Sequence, residues 1–133
     1  MYVLFRDDLI DSDEIRKKIE SESDFHVISD LTKATKREDV MSFKLSLPMN
    51  KINLDTVFDW DDEDSVNEYF GYAENLTKDF LKYFPKYTIQ CSSSYKWDEV
   101  DDSIGLVVVI ANIDITMKKL KLDILKRMMK QVD

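Results

Sequence analysis

The sequence predicts an α+β domain, in which a sheet of about five strands, mixed or largely antiparallel, is packed with three helices. The predicted order is β-α-β-β-α-β-β-α. The 133 residues are 44% hydrophobic, enough for one core, so we expect a single domain over residues 1–133. Apolar residues recur at every second position in some segments and at every third or fourth in others. The two strand-to-strand connections, around residues 30–39 and 97–103, are short enough for antiparallel hairpins.

The first strand and the first helix are predicted from the start of the chain. An apolar run in residues 1–6 predicts a buried strand. Asp11 and Glu14 have the spacing of a capping box, in which two side chains satisfy free backbone N–H groups at the start of a helix. The helix that follows has Ile15 and Ile19 as a thin apolar stripe.

Two strands joined by a polar segment come next. Residues 40–47 alternate between apolar and polar side chains, which is typical of a half-buried strand. Residues 25–29 also predict a strand, with Phe25 and Val27 on one face and His26 and Ile28 on the other. Pro48 ends the second of them. The polar residues 31–39 are predicted to connect the two strands as a hairpin or an exposed loop.

The longest helix is predicted after an irregular stretch at residues 49–63. Ser65 is a good N-cap, and Glu68 three residues later completes a second capping-box pattern. Apolar residues then recur at three- and four-residue steps until Pro85, which stops the helix.

Two strands and a last helix complete the prediction. Residues 87–97 alternate, which places Trp97 on the same side as Ile89 and Cys91. Residues 104–111 are nearly all apolar, the pattern of a central strand covered on both faces. Apolar residues at helical spacing predict a helix over about 116–131.

The negative charge is concentrated in one part of the chain. Residues 52–77 contain eight acids and no lysine or arginine, whereas the rest of the chain holds nineteen acids and nineteen bases. The eight are Asp55, Asp59, Asp61, Asp62, Glu63, Asp64, Glu68 and Glu74. Residues 118–130, in contrast, hold six bases and one acid. The net charge of −8 therefore comes from one segment, and we expect an electrically polar molecule.

A short pattern occurs twice, in which a tryptophan precedes a run of carboxylates. Trp60 follows Asp59 and precedes four acids, and Trp97 precedes an acidic turn. Aromatic anchors within a charged rim are typical of protein interfaces. The candidate partner-binding residues are Asp59, Trp60, Asp61, Asp62, Glu63, Asp64, Trp97, Asp98, Glu99, Asp101 and Asp102. The alternative is a purely structural role, in which the acids are solubilising turn and cap residues and the tryptophans belong to the core.

Several kinds of chemistry find little support. His26 is the single histidine and Cys91 the single cysteine, which excludes a multi-histidine metal centre and an intramolecular disulfide. A calcium loop starting at Asp59 fails, because Asp64 stands where glycine is needed and Phe70 where a bidentate glutamate is needed. Nucleotide-binding glycine motifs and zinc-protease motifs are missing. We therefore predict no catalytic residues, no metal and no cofactor.

The function predicted from these observations is non-catalytic inhibition of a basic, nucleic-acid-handling protein such as a nuclease. Carboxylates can take the place of phosphates and form charge-assisted bonds to arginine. In size and charge, though not in any motif, the chain resembles small acidic inhibitors such as anti-CRISPR, anti-restriction and nuclease-immunity proteins. We expect a cytoplasmic protein that binds no nucleic acid directly and no membrane, because it is acidic and lacks a long apolar run.

Two other classes stay open at this point. The acidic cluster could serve a small metal-dependent or carboxylate-dependent enzyme. The chain could also be an assembly subunit with an acidic interaction face.

Overall fold

The larger sheet of the protein has four strands, and a separate two-stranded hairpin lies beside it. The computed structural model describes residues 1–5, 8–78, 88–112, 125, 126 and 128–130. The elements are β1 (Tyr2–Phe5), β2 (Asp8–Asp11), α1 (Ser12–Glu22), β3 (His26–Asp30), β4 (Val40–Pro48), α2 (Glu63–Leu76), β5 (Thr88–Asp98) and β6 (Ser103–Asn112). Short 3₁₀ helices occur at Thr32–Thr35 and Met49–Lys51.

The strand order of the larger sheet is β3-β4-β6-β5, and all neighbouring strands are antiparallel. The α+β class and the two antiparallel hairpin connections are therefore confirmed. The prediction of one five-stranded sheet is wrong, because β1 pairs with β2 instead of joining the larger sheet. In this hairpin Leu4 lies opposite Leu9, and the segment that sequence reasoning left between strand and helix is itself a strand.

The beginning of each helix shows which capping predictions hold. Asp11 is the N-cap of α1, as predicted, and its carboxylate accepts from the backbone N–H of Asp13 at 3.1 Å. The predicted N-cap at Ser65 is wrong, because α2 begins at Glu63 and its N-cap is Asp62, three residues before Ser65. Ser65 is buried in the first turn, and its hydroxyl accepts from the backbone N–H of Asp59 at 3.0 Å. Aspartate and serine are similarly good N-caps, so capping preference alone does not distinguish the two positions.

The core lies on both faces of the larger sheet. On the helix-covered face, the alternating apolar residues of β4 and β6 pack against Ile15 and Ile19 of α1 and against Tyr69 and Ala73 of α2. The second face carries the remaining buried apolar residues of the same two central strands. They are Val40, Val107, Val109 and Ala111, and Met128 packs on them. Residues 104–111 are buried throughout, so the predicted central strand is confirmed.

Part of the predicted C-terminal helix is described. Residues 125, 126 and 128–130 are helical, while the rest of 116–131 lies outside the described residues. α2 ends at Leu76, with Thr77 as its C-cap, earlier than the predicted end at Pro85. Pro85 and the predicted strand residue Tyr87 lie outside the described residues. Among the described residues, no helix combines the length and the apolar character that crossing a bilayer requires.

Candidate protein-binding groove

The segment between β4 and α2 crosses one end of the larger sheet. Its start is fixed by the backbone N–H of Met49, which donates to the carbonyl of Asp102 in the β5–β6 turn at 2.9 Å. Ile52, Leu54 and Phe58 then pack against the core on the helix-covered face. The apolar side chains of this segment contact the end of the sheet, and their spacing matches neither a regular helix nor a regular strand.

A β-bulge in β5 turns Trp97 toward this segment. Ser94 lies opposite Leu106 and Lys96 opposite Gly105, so the register shifts at Tyr95, which is the extra residue of the bulge. The extra residue reverses the alternation. Trp97 lies opposite Ile104, on the helix-covered face, whereas Tyr95 packs on the second face. The prediction that Trp97 shares a side with Ile89 and Cys91 is therefore wrong.

Gly105 makes room for the residue that bulges out. A β-carbon at this position would lie 2.7 Å from the ring carbon Cζ of Tyr95. The aromatic ring therefore covers the glycine backbone on the second face, an arrangement that stabilises glycine within a sheet. The bulge and the glycine together fix the direction in which Trp97 leaves the strand.

The two tryptophans, far apart in sequence, meet at Phe58. The ring centroid of Phe58 is 5.2 Å from that of Trp97, 6.3 Å from that of Trp60 and 5.0 Å from that of Tyr69. The tryptophan centroids are 6.0 Å apart. Trp60 also lies 6.1 Å from Phe70 of α2. Tilted and edge-to-face contacts of this kind are favourable beyond the area they bury.

These rings form one wall of an open groove of about 730 Å³. We call it the acidic groove and define it by three groups of lining residues. The apolar group is Met49, Ile52, Leu54 and Val57, the aromatic group is Phe58, Trp60, Tyr69 and Trp97, and the acidic group is Asp59, Asp61, Glu99 and Asp102. Both copies of the tryptophan–carboxylate pattern therefore contribute a ring and two carboxylates to the same groove.

Four of the predicted site acids have a local structural task. Asp59 accepts from the backbone N–H of Asp61 at 3.0 Å, and Asp62 caps α2 through the N–H of Asp64 at 3.1 Å. Asp98 accepts from two backbone N–H groups of its turn, at 2.9 and 3.2 Å. Asp102 accepts from the indole nitrogen Nε1 of Trp97 at 3.1 Å. Turn and cap chemistry thus explains part of the acidic composition.

The other predicted acids are exposed and differ in position. Asp61 and Glu99 line the acidic groove. Glu63 and Asp64 lie in the first turn of α2, where negative charge is favourable to the helix dipole. Asp101 lies with Asp98 and Lys96 beside a separate small pocket, so the structure does not bring these two acids into the groove.

Within the part of the chain that the structure describes, no ion pair joins a lysine or arginine to any of these acids. Its ion pairs lie elsewhere, as between Arg37 and Asp39 at 2.9 Å. There the neighbouring carboxylate raises the pKa of the Arg37 guanidinium. The described residues of the basic C-terminal segment are also remote, because Met128 packs on the second face of the sheet, opposite the groove.

The groove also contains residues that sequence reasoning missed. Met49, Ile52, Leu54 and Val57 line it, yet they show no regular period. The available signal was an apolar residue at nearly every second or third position in a stretch too irregular for a strand. Val57 is 89% exposed, which a core residue would not be.

The remaining candidates for chemistry are separate from the groove. His26 is exposed on β3, and Cys91 is half-buried on β5. Among the described residues, no three histidine, cysteine or acidic side chains converge as metal ligands would.

Comparison with protein-family models, with curated proteins and with solved structures found no match to this chain. The geometry and the charge of the groove are therefore the basis of the functional argument.

Proposed function

We propose that the protein is a cytoplasmic, non-catalytic binding protein that inhibits a basic, nucleic-acid-handling partner. The observation that supports this proposal is the convergence of two acidic segments on one groove. Trp60 with Asp59 and Asp61 lines the same open cavity as Trp97 with Glu99 and Asp102, although the two tryptophans are 37 positions apart in the sequence.

The groove has the composition of a recognition surface. Protein interfaces combine an apolar, aromatic centre with a polar rim, and a few aromatic and arginine side chains supply most of the binding energy. Trp60 is 46% exposed and Val57 is 89% exposed, so apolar surface is available to a partner between carboxylates. Large apolar side chains at the surface cost solubility, which a binding role explains and a solubilising role does not.

The charge favours a basic partner over a neutral one. Acids without a cationic neighbour repel one another, and they attract a surface rich in lysine and arginine. Proteins that handle nucleic acids have such surfaces, because they must neutralise phosphates spaced along a backbone. The carboxylates of the groove and of the adjacent α2 start would occupy these phosphate positions and block access of the nucleic acid.

A charge-neutralised variant tests the proposal. In Asp61→Asn/Asp62→Asn/Glu63→Gln, three acids become neutral amides of similar shape, and asparagine at 62 retains the cap of α2. We expect this variant to fold normally and to lose at least about tenfold in affinity for the partner, since three charge-assisted contacts are removed. The partner would be captured from source cells with the wild-type protein, identified, and titrated by calorimetry.

The matched control removes the same charge elsewhere. Glu14, Glu22 and Glu38 are exposed and lie outside the groove, so the triple Gln variant should bind as the wild type does. The affinity of the wild-type protein for the partner should fall as the salt concentration rises. The partner should bind nucleic acid less tightly when the protein is bound to it. Equal binding by the charge-neutralised variant and the wild type would contradict the proposal, as would a bound partner that still binds nucleic acid.

A further inference from the structure

We propose that the acidic groove receives a single arginine side chain of the partner, stacked on Trp60 and paired with the carboxylates beside it. This inference rests on the proposed function and names the group that the groove recognises. The groove would then be a specific arginine pocket within a larger electrostatic contact. Experiments can contradict the pocket and the proposed function separately.

The exposed ring of Trp60 is the first step of the argument. Trp60 contacts Phe58, Trp97 and Phe70 at centroid distances of 6.0 to 6.3 Å, yet 46% of its surface is exposed. The ring is thus fixed by its aromatic neighbours while part of it is open to solvent. A fixed indole face attracts a cation more strongly than any other aromatic side chain does.

The carboxylate oxygens are the second step. Asp59 uses Oδ1 for the turn and Asp102 uses Oδ1 for the Trp97 indole, while their Oδ2 atoms accept no hydrogen bond from the described residues. Asp61 and Glu99 accept no side-chain hydrogen bond from the described residues either. Four carboxylates therefore line one cavity without a cationic neighbour in the described part of the chain.

The chemistry of the lining selects the occupant. A guanidinium is planar, stacks on an indole and donates two parallel hydrogen bonds to a carboxylate, whereas an ammonium is a compact and strongly hydrated charge. The stem of an arginine is apolar and suits contact with Ile52, Leu54 and Val57. The groove volume of about 730 Å³ lies within the range of small-molecule pockets, so it is large enough to receive an arginine side chain. Charge complementarity and an aromatic wall thus point to arginine.

Tryptophan fluorescence makes a direct test practicable. The chain has two tryptophans and both line the groove, so the whole tryptophan signal reports on this site. The probe is the peptide acetyl-Ala-Arg-Ala-amide, compared with the same peptide containing lysine or citrulline. Citrulline keeps the shape and the hydrogen-bonding plane of arginine and lacks its charge.

We expect saturable binding of the arginine peptide, binding of the lysine peptide that is weaker by about threefold or more, and no saturation with citrulline. Trp60→Leu and the pair Asp61→Asn/Glu99→Gln should each weaken arginine binding by about threefold to thirtyfold. The peptide series uses the wild-type chain, so the test does not depend on the folding of a variant.

Any of the following results would overturn the pocket. Equal affinity for arginine and lysine peptides would indicate diffuse electrostatic attraction. Saturation by the citrulline peptide would indicate an apolar site without charge recognition. Unchanged binding by Trp60→Leu would remove the indole from the site. If the peptides do not bind but Asp61→Asn/Asp62→Asn/Glu63→Gln loses its partner, the pocket fails and the proposed function stands. If the arginine peptide binds as expected but that triple variant keeps its partner, the proposed function fails and the pocket stands.

Discussion

The two acidic segments, residues 59–64 and 98–102, have similar composition but lie in different secondary-structure elements. Each presents a tryptophan beside carboxylates, the first at the start of α2 and the second in the turn between β5 and β6. In both segments two aspartates accept hydrogen bonds from within the chain, and the other acids are exposed. These hydrogen bonds occupy one oxygen of each aspartate and leave its charge in place, so the number of carboxylate oxygens open to a partner is smaller than the number of acids suggests.

The tryptophans of the two segments differ in how they are held. Trp97 is half-buried, lies across from Ile104 in the sheet, and donates its indole N–H to Asp102 at 3.1 Å. Trp60 is 46% exposed and is positioned only by ring contacts among the described residues. We therefore expect Trp97 to build the groove and Trp60 to contact what enters it.

Replacing each tryptophan by alanine should show this difference most strongly. Trp97→Ala should lower the free energy of unfolding by about 2 kcal/mol, below the roughly 3–5 kcal/mol typical of fully buried aromatic residues. Trp60→Ala should lower it by about 0.5–1 kcal/mol, because nearly half of the ring is already in water. Urea unfolding followed by circular dichroism measures both. A larger loss for Trp60→Ala than for Trp97→Ala would reverse the assignment of the two roles.

Sequence reasoning reached much of this fold because most of its patterns are local. The alternation of residues 40–47, the apolar run at 104–111 and the Asp11 cap depend on neighbours one to four positions away, and these predictions hold. The repeated tryptophan–carboxylate pattern also pointed to the residues that line the groove. It could not indicate that the two copies meet, because their contact depends on the path of the irregular segment that contains Phe58.

The wrong predictions concern places where a single residue, or a very short run of residues, determines the local structure. The extra residue Tyr95 reverses the side on which Trp97 lies, and no period in the sequence marks a bulge in advance. Gly105, which lies opposite Lys96 and is covered by the ring of Tyr95, was the one hint. The N-cap of α2 was misplaced because five acids precede or surround Ser65, and several of them are equally good caps. The pairing of β1 with β2 was missed because Leu9 and Ile10 form too short a run to predict a strand.

The second segment can be examined at Asp102, whose backbone lies in the left-handed region with φ of 50°. Asp102→Ala removes the acceptor of the Trp97 indole and puts a residue less tolerant of positive φ in its place, so we expect a loss of about 1–1.5 kcal/mol. Asp102→Asn keeps the acceptor oxygen and tolerates this conformation, so its stability should stay within about 0.5 kcal/mol of the wild type. Thermal unfolding of the two variants, with the emission maximum of tryptophan as a second readout, measures the difference. Equal stability of the two variants would show that the hydrogen bond to Trp97 contributes little.

The smallest effects are expected in the first segment, where adjacent aspartates have different tasks. Asp62→Ala removes the cap of α2 and should lower the free energy of unfolding by about 1 kcal/mol, whereas Asp62→Asn should change it little. Asp61→Ala, one residue earlier, should stay within about 0.5 kcal/mol of the wild type, since its side chain accepts no hydrogen bond from the described residues. At low salt it should even be slightly more stable, because one charge is removed from a cluster of like charges. Urea titrations at two salt concentrations compare the three variants. A loss at Asp61 as large as that at Asp62 would mean that both acids are structural, and Asp61 would then no longer count among the charges free to bind a partner.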